Sequence, residues 1–348
     1  MNASRARELV MRYGWNSTAY QILNPGIEHW FSDNPPGVVG YVRRDGYLLA
    51  AGAPVCSAEH LGAIAALFER FAAGRRLRVC YVCAAERLRS ALPGHSFIAA
   101  GAEPVWEPHE WPGILASRAS LRAQLNRARN KTVAISEVPP TEAAADPEFR
   151  RVLGEWLACR GLPPLHFMVE PDVLRGVITD RVVFAARRAG KLVAYLVASP
   201  ASARNGYLIE ELARSPAAPN GTSELLIDAA MRRFAADGRT YLTMGLVALS
   251  GDALNRNPTW LRALMFWARA HANRFYNFQG LEAFRAKMRP ASWETIYFIS
   301  NEKRFSPFAL YAIGGAFSRI SPLRAIAIGV VHGARLEIQR LKRRAGDH

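Results

Sequence analysis

Two similar β-hairpin patterns constrain the fold of this chain more than any other feature. The first lies in residues 38–50, where two apolar runs meet at Asp45-Gly46, a dipeptide typical of tight hairpin turns. The second lies in residues 182–194 and begins 144 positions later, with Val, Val, Arg, Arg, Gly, Leu and Ala in the same register. A helix-like stretch and another apolar run follow each hairpin. A repeated α/β unit explains both copies, and a chance similarity of short hairpins is the alternative.

The length of 348 residues exceeds that of one ordinary domain, so we expect two. A stretch rich in Pro and Ala at 138–147 has the composition of a linker. We therefore predict an α/β (α+β) fold with two tandem domains, residues 1–140 and 141–302. Residues 303–348 differ in character, and we predict a basic, amphipathic helical tail there.

The charge of the chain indicates a polyanionic partner. Lys and Arg number 45 against 29 Asp and Glu, which gives a formal net charge of +16. A fold does not need this excess, whereas nucleic acid or an anionic membrane surface attracts it. The alternative is a basic soluble protein without such a partner.

A basic helix is predicted at residues 118–131, which contain no acidic residue. Leu121 and Leu125 stand four positions apart and can face the core, while basic residues cover other sides. Guanidinium groups on a rigid helix suit phosphate contact. The residues that we expect to bind phosphates are Arg118, Arg122, Asn126, Arg127 and Lys131. A solvated charged face is the alternative.

Charged residues at the end of a predicted strand are the first candidates for chemistry. Glu210 and Glu211 are followed by Arg214, where the strand passes into a loop. Acyl transfer is one reaction that uses both charge signs, because an acid can hold an ammonium group, a base can accept the proton of the attacking hydroxyl and donors stabilise the developing oxyanion. This segment supplies both charge signs. A surface ion pair of Glu211 with Arg214 is the alternative, although such pairs contribute only about 0–1 kcal/mol.

The helix start at Asn220-Gly221 offers free N–H groups to an anion or a carbonyl. An acyltransferase of the GNAT type places the pyrophosphate of coenzyme A at such a helix start, in a Gly-rich loop. Here the loop contains Pro216 and Pro219, which have no N–H to donate. The sequence therefore disfavours a coenzyme A site, and a plain capped turn is the alternative.

Arg285 and Lys287 are two further basic candidates, and we predict that they lie on a short turn after Gly280. A phosphate at the end of a tRNA, or a lipid phosphate, is a natural partner for such cations.

The order of these motifs resembles the C-terminal catalytic domain of bacterial phosphatidylglycerol lysyltransferases, the multiple peptide resistance factor family. The family patterns D-L-M-R, P-N-G, F-x-G-L, F-K-x-K and W-E-x-x-Y fall on residues 211–214, 219–221, 278–281, 284–287 and 293–297. A weaker pattern, L-R-x-x-x-N-R, falls on 121–127. The chain departs from the family at Glu211 for Asp, Arg285 for Lys and Ile296 for Arg, and residues 243–250 match a further pattern, L-G-M-x-P-L-S, only loosely because Ala248 replaces Pro.

The resemblance implies tandem GNAT-like acyltransferase domains. It implies transfer of an aminoacyl group from aminoacyl-tRNA to a membrane lipid such as phosphatidylglycerol, or to another hydroxyl or amine acceptor. The implied catalytic residues are Glu211, Arg214 and Lys287. We expect Glu210, Asn220, Gly221, Gln279, Arg285 and Tyr297 to bind substrate. Aminoacyl-tRNA is then a co-substrate, and we expect no other cofactor and no metal.

Two other functions fit the same fold. One is a GNAT-type N-acyltransferase that uses acyl-coenzyme A, and the other is a non-catalytic binder of anionic membranes or nucleic acid. The sequence leaves open the transferred amino acid, the acceptor and the oligomeric state.

We expect a cytoplasmic protein that binds peripherally to the inner face of the cell membrane. The N-terminal residues lack an apolar signal core, and no run reaches the roughly 18 apolar residues of a membrane span. In the tail, apolar residues at 307–317 and 326–331 are separated by basic ones, which suits an element lying on a membrane surface. A helix packed on the domains is the alternative. Cys80 and Cys83 lie in an apolar run and indicate buried strand cysteines rather than a metal or redox site.

Overall fold

The computed structural model describes residues 2–159, 165–259, 261–262, 265 and 278–318. Within this part of the chain the strands are β1 (Glu28–Asp33), β2 (Pro36–Arg44), β3 (Tyr47–Ala51), β4 (Arg78–Ala85), β5 (Ser96–Trp106), β6 (Val133–Val138), β7 (Val182–Arg188), β8 (Lys191–Ala201), β9 (Gly206–Arg214), β10 (Tyr241–Thr243), β11 (Val247–Ala248) and β12 (Ser292–Ser300). The helices described are α1 (Asn2–Tyr13), α2 (Leu61–Ala73), α3 (Glu86–Ala91), α4 (Trp111–Ser117), α5 (Ala119–Asn130), α6 (Pro140–Ala145), α7 (Pro147–Ala158), α8 (Thr222–Ala236), α9 (Gly251–Leu254), α10 (Phe278–Ala286) and α11 (Pro307–Ser318). This mixture confirms the predicted α/β (α+β) class.

The described strands join in a single sheet. Its order is β1-β2-β3-β4-β12-β5-β10-β9-β8-β7-β6, and β11 pairs with β5. Neighbours are antiparallel except in the pairs β3–β4 and β9–β10, which are parallel. The two parts of the chain interlock, because β12 lies between β4 and β5 while β5 also pairs with β10. The division into domains 1–140 and 141–302 stays a prediction. The described strands of both ranges belong to one sheet.

One arrangement of elements occurs twice in this sheet. Three antiparallel strands, a helix and a parallel strand form β1-β2-β3-α2-β4 and again β7-β8-β9-α8-β10. In these two series β2 and β3 correspond to β8 and β9. The hairpin similarity seen in the sequence instead aligns β2–β3 with β7–β8, so it is displaced by one strand. The predicted order of hairpin, helix and strand is therefore wrong for the second copy, in which β9 intervenes before the helix.

The turns explain why the two hairpins look alike. Asp45 and Gly46 have φ of 45° and 83°, and Ala189 and Gly190 have φ of 48° and 81°. Two successive residues with positive φ form the turn that best matches the twist of a hairpin. The sequence similarity therefore reports a shared turn type and not an equivalent place in the sheet.

Helices cover both faces of the sheet. We call one face the α8 face, which α2, α5 and α8 cover, and the other the α7 face, which α1, α7 and α11 cover. In α8, Leu226, Ala230 and Phe234 recur at helical spacing and are fully buried against the sheet. The apolar stripe of each helix thus determines which side faces the strands.

The stretch predicted as a linker has regular structure. Strand β6 ends at Val138 and pairs with β7, and residues 140–145 form α6. Asp146 then caps α7, because its side chain accepts a hydrogen bond from the Glu148 N–H.

The first apolar piece of the tail is a packed helix. In α11, Ala309, Ala312 and Ile313 are buried against β2 and β3. The buried side of this piece packs on the domains, as that alternative expects. The second piece, 326–331, lies outside the described residues. None of the described helices combines the length and the hydropathy needed to cross a bilayer.

Cys80 and Cys83 are buried in β4, which confirms the prediction of buried strand cysteines. Burial raises the pKa of both thiols well above the ordinary value, so neither is poised as a thiolate.

Candidate active site

The sheet opens between β9 and β10. These two strands pair only from Gly206 to Leu208, opposite 241–243. The chain after Thr243 then turns away and joins β5, where Val247 pairs with Ala102. Strand β9 continues to Arg214, and no described strand pairs with this edge of it. The divergence leaves a gap in the sheet, which we call the splay.

A β-bulge shapes the β9 side of the splay. Val197 pairs with Glu211 and Ala198 pairs with Ile209, so Glu210 is the extra residue. Successive residues of a regular strand point to opposite faces, and a bulge suspends this alternation locally. Contacts of Glu210 with Ser199 and of Glu211 with Tyr195 place both carboxylates on the α7 face.

Glu211 is buried and accepts a hydrogen bond of 2.8 Å from the Tyr195 hydroxyl. Burial and the Glu211 charge raise the pKa of Tyr195, which stays a neutral donor. Tyr195 also walls a cavity of about 170 Å³ beside α6 and α7, with Phe149 and Arg150 among its other walls. Glu211 therefore lies directly behind the wall of a cavity on the α7 face.

Glu210 is held by Arg181. Their closest atoms are 3.1 Å apart, and the two side chains are 1% and 6% exposed. Arg181 also donates to the Val177 carbonyl, and Ser199 donates to Glu210. A buried ion pair with added hydrogen bonds fixes the bulge, so the structure places Glu210 in the framework of the site.

Arg214 lies apart from Glu211. Ala213 is buried with Tyr195 on the α7 face, so strand alternation directs Arg214 toward the α8 face. Among the described residues Arg214 forms no ion pair, and its side chain is half-buried at the end of β9. The alternative of a Glu211–Arg214 surface pair does not fit this geometry.

Arg285 and Lys287 contact the chain after β10 and the start of α8. Arg285 is buried and donates a hydrogen bond of 2.7 Å to the Gly245 carbonyl, just after β10. Lys287 lies 2.6 Å from Glu224 in the first turn of α8. The predicted short turn is instead the helix α10, which contains Arg285 and ends just before Lys287. Two cations are thereby fixed beside the opening.

The start of α8 is backed by α5. Gly221 precedes the helix with φ of 92°, and a Cβ at this position would lie 2.0 Å from the Gln124 carbonyl oxygen. Only glycine fits there. Asn220 is exposed beside it. One side of this helix start is therefore occupied by protein backbone.

The basic helix α5 divides its charged residues between two tasks. Arg122 donates to the carbonyls of Leu115 and Ala116 at the end of α4, at 2.6 and 2.5 Å. Arg118 is half-buried, whereas Asn126, Arg127 and Lys131 are exposed. The exposed members remain candidates for phosphate contact, and Arg122 also stabilises the turn between two helices.

Tyr297 lies elsewhere. It is buried in β12, donates a hydrogen bond of 2.6 Å to Glu86 and accepts one of 3.2 Å from Arg256. Burial and Glu86 raise its pKa. Strands β5 and β10 separate β12 from β9, a distance of about 14 Å at ordinary strand spacing. The side chain of Gln279 lies outside the described residues.

Glu103 is a candidate that the sequence interpretation missed. It is 2% exposed in β5 and accepts a hydrogen bond of 2.7 Å from the Ser17 hydroxyl. Burial, reinforced by Glu294 in the register position opposite, raises the pKa of Glu103 to about 7, although Arg285 opposes this. The signal available in the sequence was a single acid inside the apolar run 96–106.

Glu103 lies in β5 opposite the chain segment that leaves β10. Its neighbour Ala102 pairs with Val247, and Val105 pairs with Thr243, so the intervening Gly245 passes beside Glu103. A carboxyl with a pKa near neutrality can take up or release a proton at working pH. Glu103, Glu211, Arg285 and Lys287 thus supply both charge signs in this region of the sheet, and acyl transfer to a hydroxyl can use groups of these types.

A family model described as "Phosphatidylglycerol lysyltransferase, C-terminal" matches residues 7–300. The search of curated proteins found no match.

Three solved structures have similar folds. The C-terminal domain of a protein assigned as a lysylphosphatidylglycerol synthetase from Agrobacterium fabrum has a TM-score of 0.75 at 22% identity, over 91% of this chain and 97% of that one. L-PGS from Bacillus licheniformis has a TM-score of 0.75 at 18% identity, with the same coverage of 91% and 97%. FemX has a TM-score of 0.57 at 10% identity, over 86% of this chain and 96% of that one. At these identities the likeness concerns the fold.

Proposed function

Since the chain belongs to the phosphatidylglycerol lysyltransferase C-terminal family and is an aminoacyltransferase, we propose that it moves an aminoacyl group from aminoacyl-tRNA to a hydroxyl of an anionic membrane lipid such as phosphatidylglycerol. The observation that carries this proposal is the family match over residues 7–300, together with the charged groups gathered at the splay.

The two faces of the sheet suit two very different substrates. The α8 face presents the exposed Arg127 and Lys131 of α5, which suit the phosphates of tRNA. The α7 face carries Glu211 and the cavity walled by Tyr195. A donor and an acceptor that approach from opposite faces can meet where the sheet is open.

The reaction assigns separate tasks to the charged groups. The acceptor hydroxyl attacks the ester carbonyl, the ester bond to the tRNA ribose breaks, and the proton of the hydroxyl ends on the ribose oxygen. Glu103 has a pKa suited to accept that proton and pass it on. In this proposal Arg214 and Lys287 attract the developing oxyanion or a phosphate. Glu211 offers negative charge for the ammonium group of the aminoacyl moiety.

The helix start of α8 is a poor site for coenzyme A. Pro216 and Pro219 contribute no N–H donors, and the carbonyl of Gln124 backs Gly221 at the helix start. A pyrophosphate needs several converging donors there. These features favour aminoacyl-tRNA as the co-substrate and no further cofactor.

A transfer assay tests the proposal directly. The full chain is incubated with tRNA charged with radiolabelled amino acids and with vesicles containing phosphatidylglycerol, and the extracted lipid is counted. Label in the lipid, dependent on charged tRNA, supports the proposal. Label from acetyl-coenzyme A but not from tRNA would favour the rival acyltransferase, and lipid binding without any transfer would favour the non-catalytic binder.

A further inference from the structure

Helix α11 exposes an apolar face. Its buried side packs on β2 and β3, yet Phe308, Leu310 and Tyr311 are 73%, 36% and 37% exposed. Residues 307–318 contain no charged side chain. A helix that faces water on one side normally carries polar residues there.

Helix α1 shows the ordinary arrangement on the same face of the sheet. Ala6 and Val10 are buried, whereas Arg5, Glu8 and Arg12 are exposed. The apolar outer face of α11 is therefore a property of that helix and not of this side of the molecule.

Basic residues flank the exposed face of α11. Lys303 and Arg304 are exposed just before the helix begins. At its other end, a Cβ at Gly315 would lie 3.1 Å from Nε of Arg44, so the turn between β2 and β3 adjoins the helix. Arg43 and Arg44 line a cavity of about 440 Å³ there, with Glu170 also in its wall, and Arg44 lies 3.6 Å from Asp45.

We propose that the outer face of α11, with its basic flanks, docks on an anionic lipid bilayer. Aromatic and aliphatic side chains can enter the acyl boundary while Lys and Arg attract anionic headgroups. A second copy is a poorer occupant, because both molecules carry a formal charge of +16. A helix of 12 residues is also only about 18 Å long, which is short for a stable dimer interface.

This orientation agrees with the proposed function without depending on it. Helix α11 covers the α7 face of the sheet, on which the Tyr195 cavity also lies, and the basic helix α5 covers the α8 face. Docking through α11 leaves α5 accessible from the aqueous side.

Vesicle flotation tests the docking surface with the full chain. Binding is measured on phosphatidylcholine vesicles with and without phosphatidylglycerol, for the wild type and for a Phe308→Ser/Tyr311→Ser variant. We expect the variant to bind anionic vesicles about tenfold more weakly or worse, with an unchanged melting temperature. The matched control is Met11→Ser on α1, because Met11 is 37% exposed on the same side and should be dispensable.

Charge gives an independent readout. Lys303→Gln/Arg304→Gln should weaken binding to anionic vesicles and reduce its dependence on salt, because exposed cations act through screened attraction. The same variant should lose less binding to vesicles of phosphatidylcholine alone.

Several outcomes would overturn the proposal. One is equal flotation of the wild type and the Phe308→Ser/Tyr311→Ser variant. Another is a wild-type dimer that the same variant converts to a monomer, which would make the face an interface between copies. The proposed function is tested separately. If the wild type binds vesicles through α11 but transfers no label, the docking surface is supported and the proposed transferase function is wrong.

Discussion

Replacing Glu103 with Gln should change how the stability of the protein depends on pH. Burial is the main reason why the pKa of this carboxyl rises from 4.5 to about 7. An acid with a raised pKa holds its proton more tightly in the folded than in the unfolded state. The stability that results is complete below about pH 4.5 and is lost as the pH rises to about 7.

The size of the effect follows from the pKa. A rise from 4.5 to about 7 corresponds to about 3 kcal/mol of unfolding free energy. Solvent does not screen a side chain that is 2% exposed. Gln has nearly the same size and no charge, and its carbonyl can still accept the hydrogen bond from Ser17. The unfolding free energy of Glu103→Gln, compared with that of the wild type at the same pH, should therefore rise by about 3 kcal/mol from about pH 4.5 to pH 8.

Urea unfolding followed by circular dichroism measures this difference. The wild type, Glu103→Gln and Glu142→Gln are compared at about pH 5 and pH 8. Glu142 is an exposed residue of α6, and its substitution is the control for removing one carboxylate from the chain. If Glu103→Gln shifts stability equally at both pH values, the argument from burial is wrong. In the transfer assay, the same variant should lose the rise in rate that accompanies ionisation near pH 7.

Three further predictions concern the surroundings of the splay. Gly221→Ala should destabilise the fold by about 3 kcal/mol or more in thermal unfolding, because of the positive φ and the clash with the Gln124 carbonyl. The control Gly190→Ala has open space around it and should cost about 1 kcal/mol. Arg214→Lys should lower the transfer rate about 10²-fold while the melting temperature is kept, because Lys lacks the two-donor fork; full activity would remove Arg214 from the mechanism. Arg127→Gln/Lys131→Gln should weaken tRNA binding and reduce its salt slope by about 2, and an unchanged slope would make these side chains a solvated face.

The outline of the fold could be predicted because its signals are local. The turn at Asp45-Gly46, the apolar stripes of the helices and the prolines before α8 act within a few residues of where they occur. The family motifs are equally short, and they identified the segments that surround the splay. Buried strand cysteines follow from the apolar run around Cys80 and Cys83 in the same way.

The sheet order could not be read from these local signals. Strand β12 lies between β4 and β5, far from its neighbours in sequence, and β5 reaches across to β10. Similar turns made β7–β8 look equivalent to β2–β3, although the strand order assigns them different places. Pairing of distant strands depends on the packing of the whole sheet, which no single segment encodes.

The candidate site shows the same division. Sequence alone identified Glu210, Glu211, Arg285 and Lys287 as charged candidates, and it placed Glu210 and Glu211 on a strand. The tertiary structure decided that a bulge turns Glu210 and Glu211 to one face, that Arg181 neutralises Glu210, and that α10 brings Arg285 and Lys287 to the splay. It also gave Glu103 its pKa near neutrality, because desolvation depends on the groups that surround a carboxyl and not on the residues beside it in the chain.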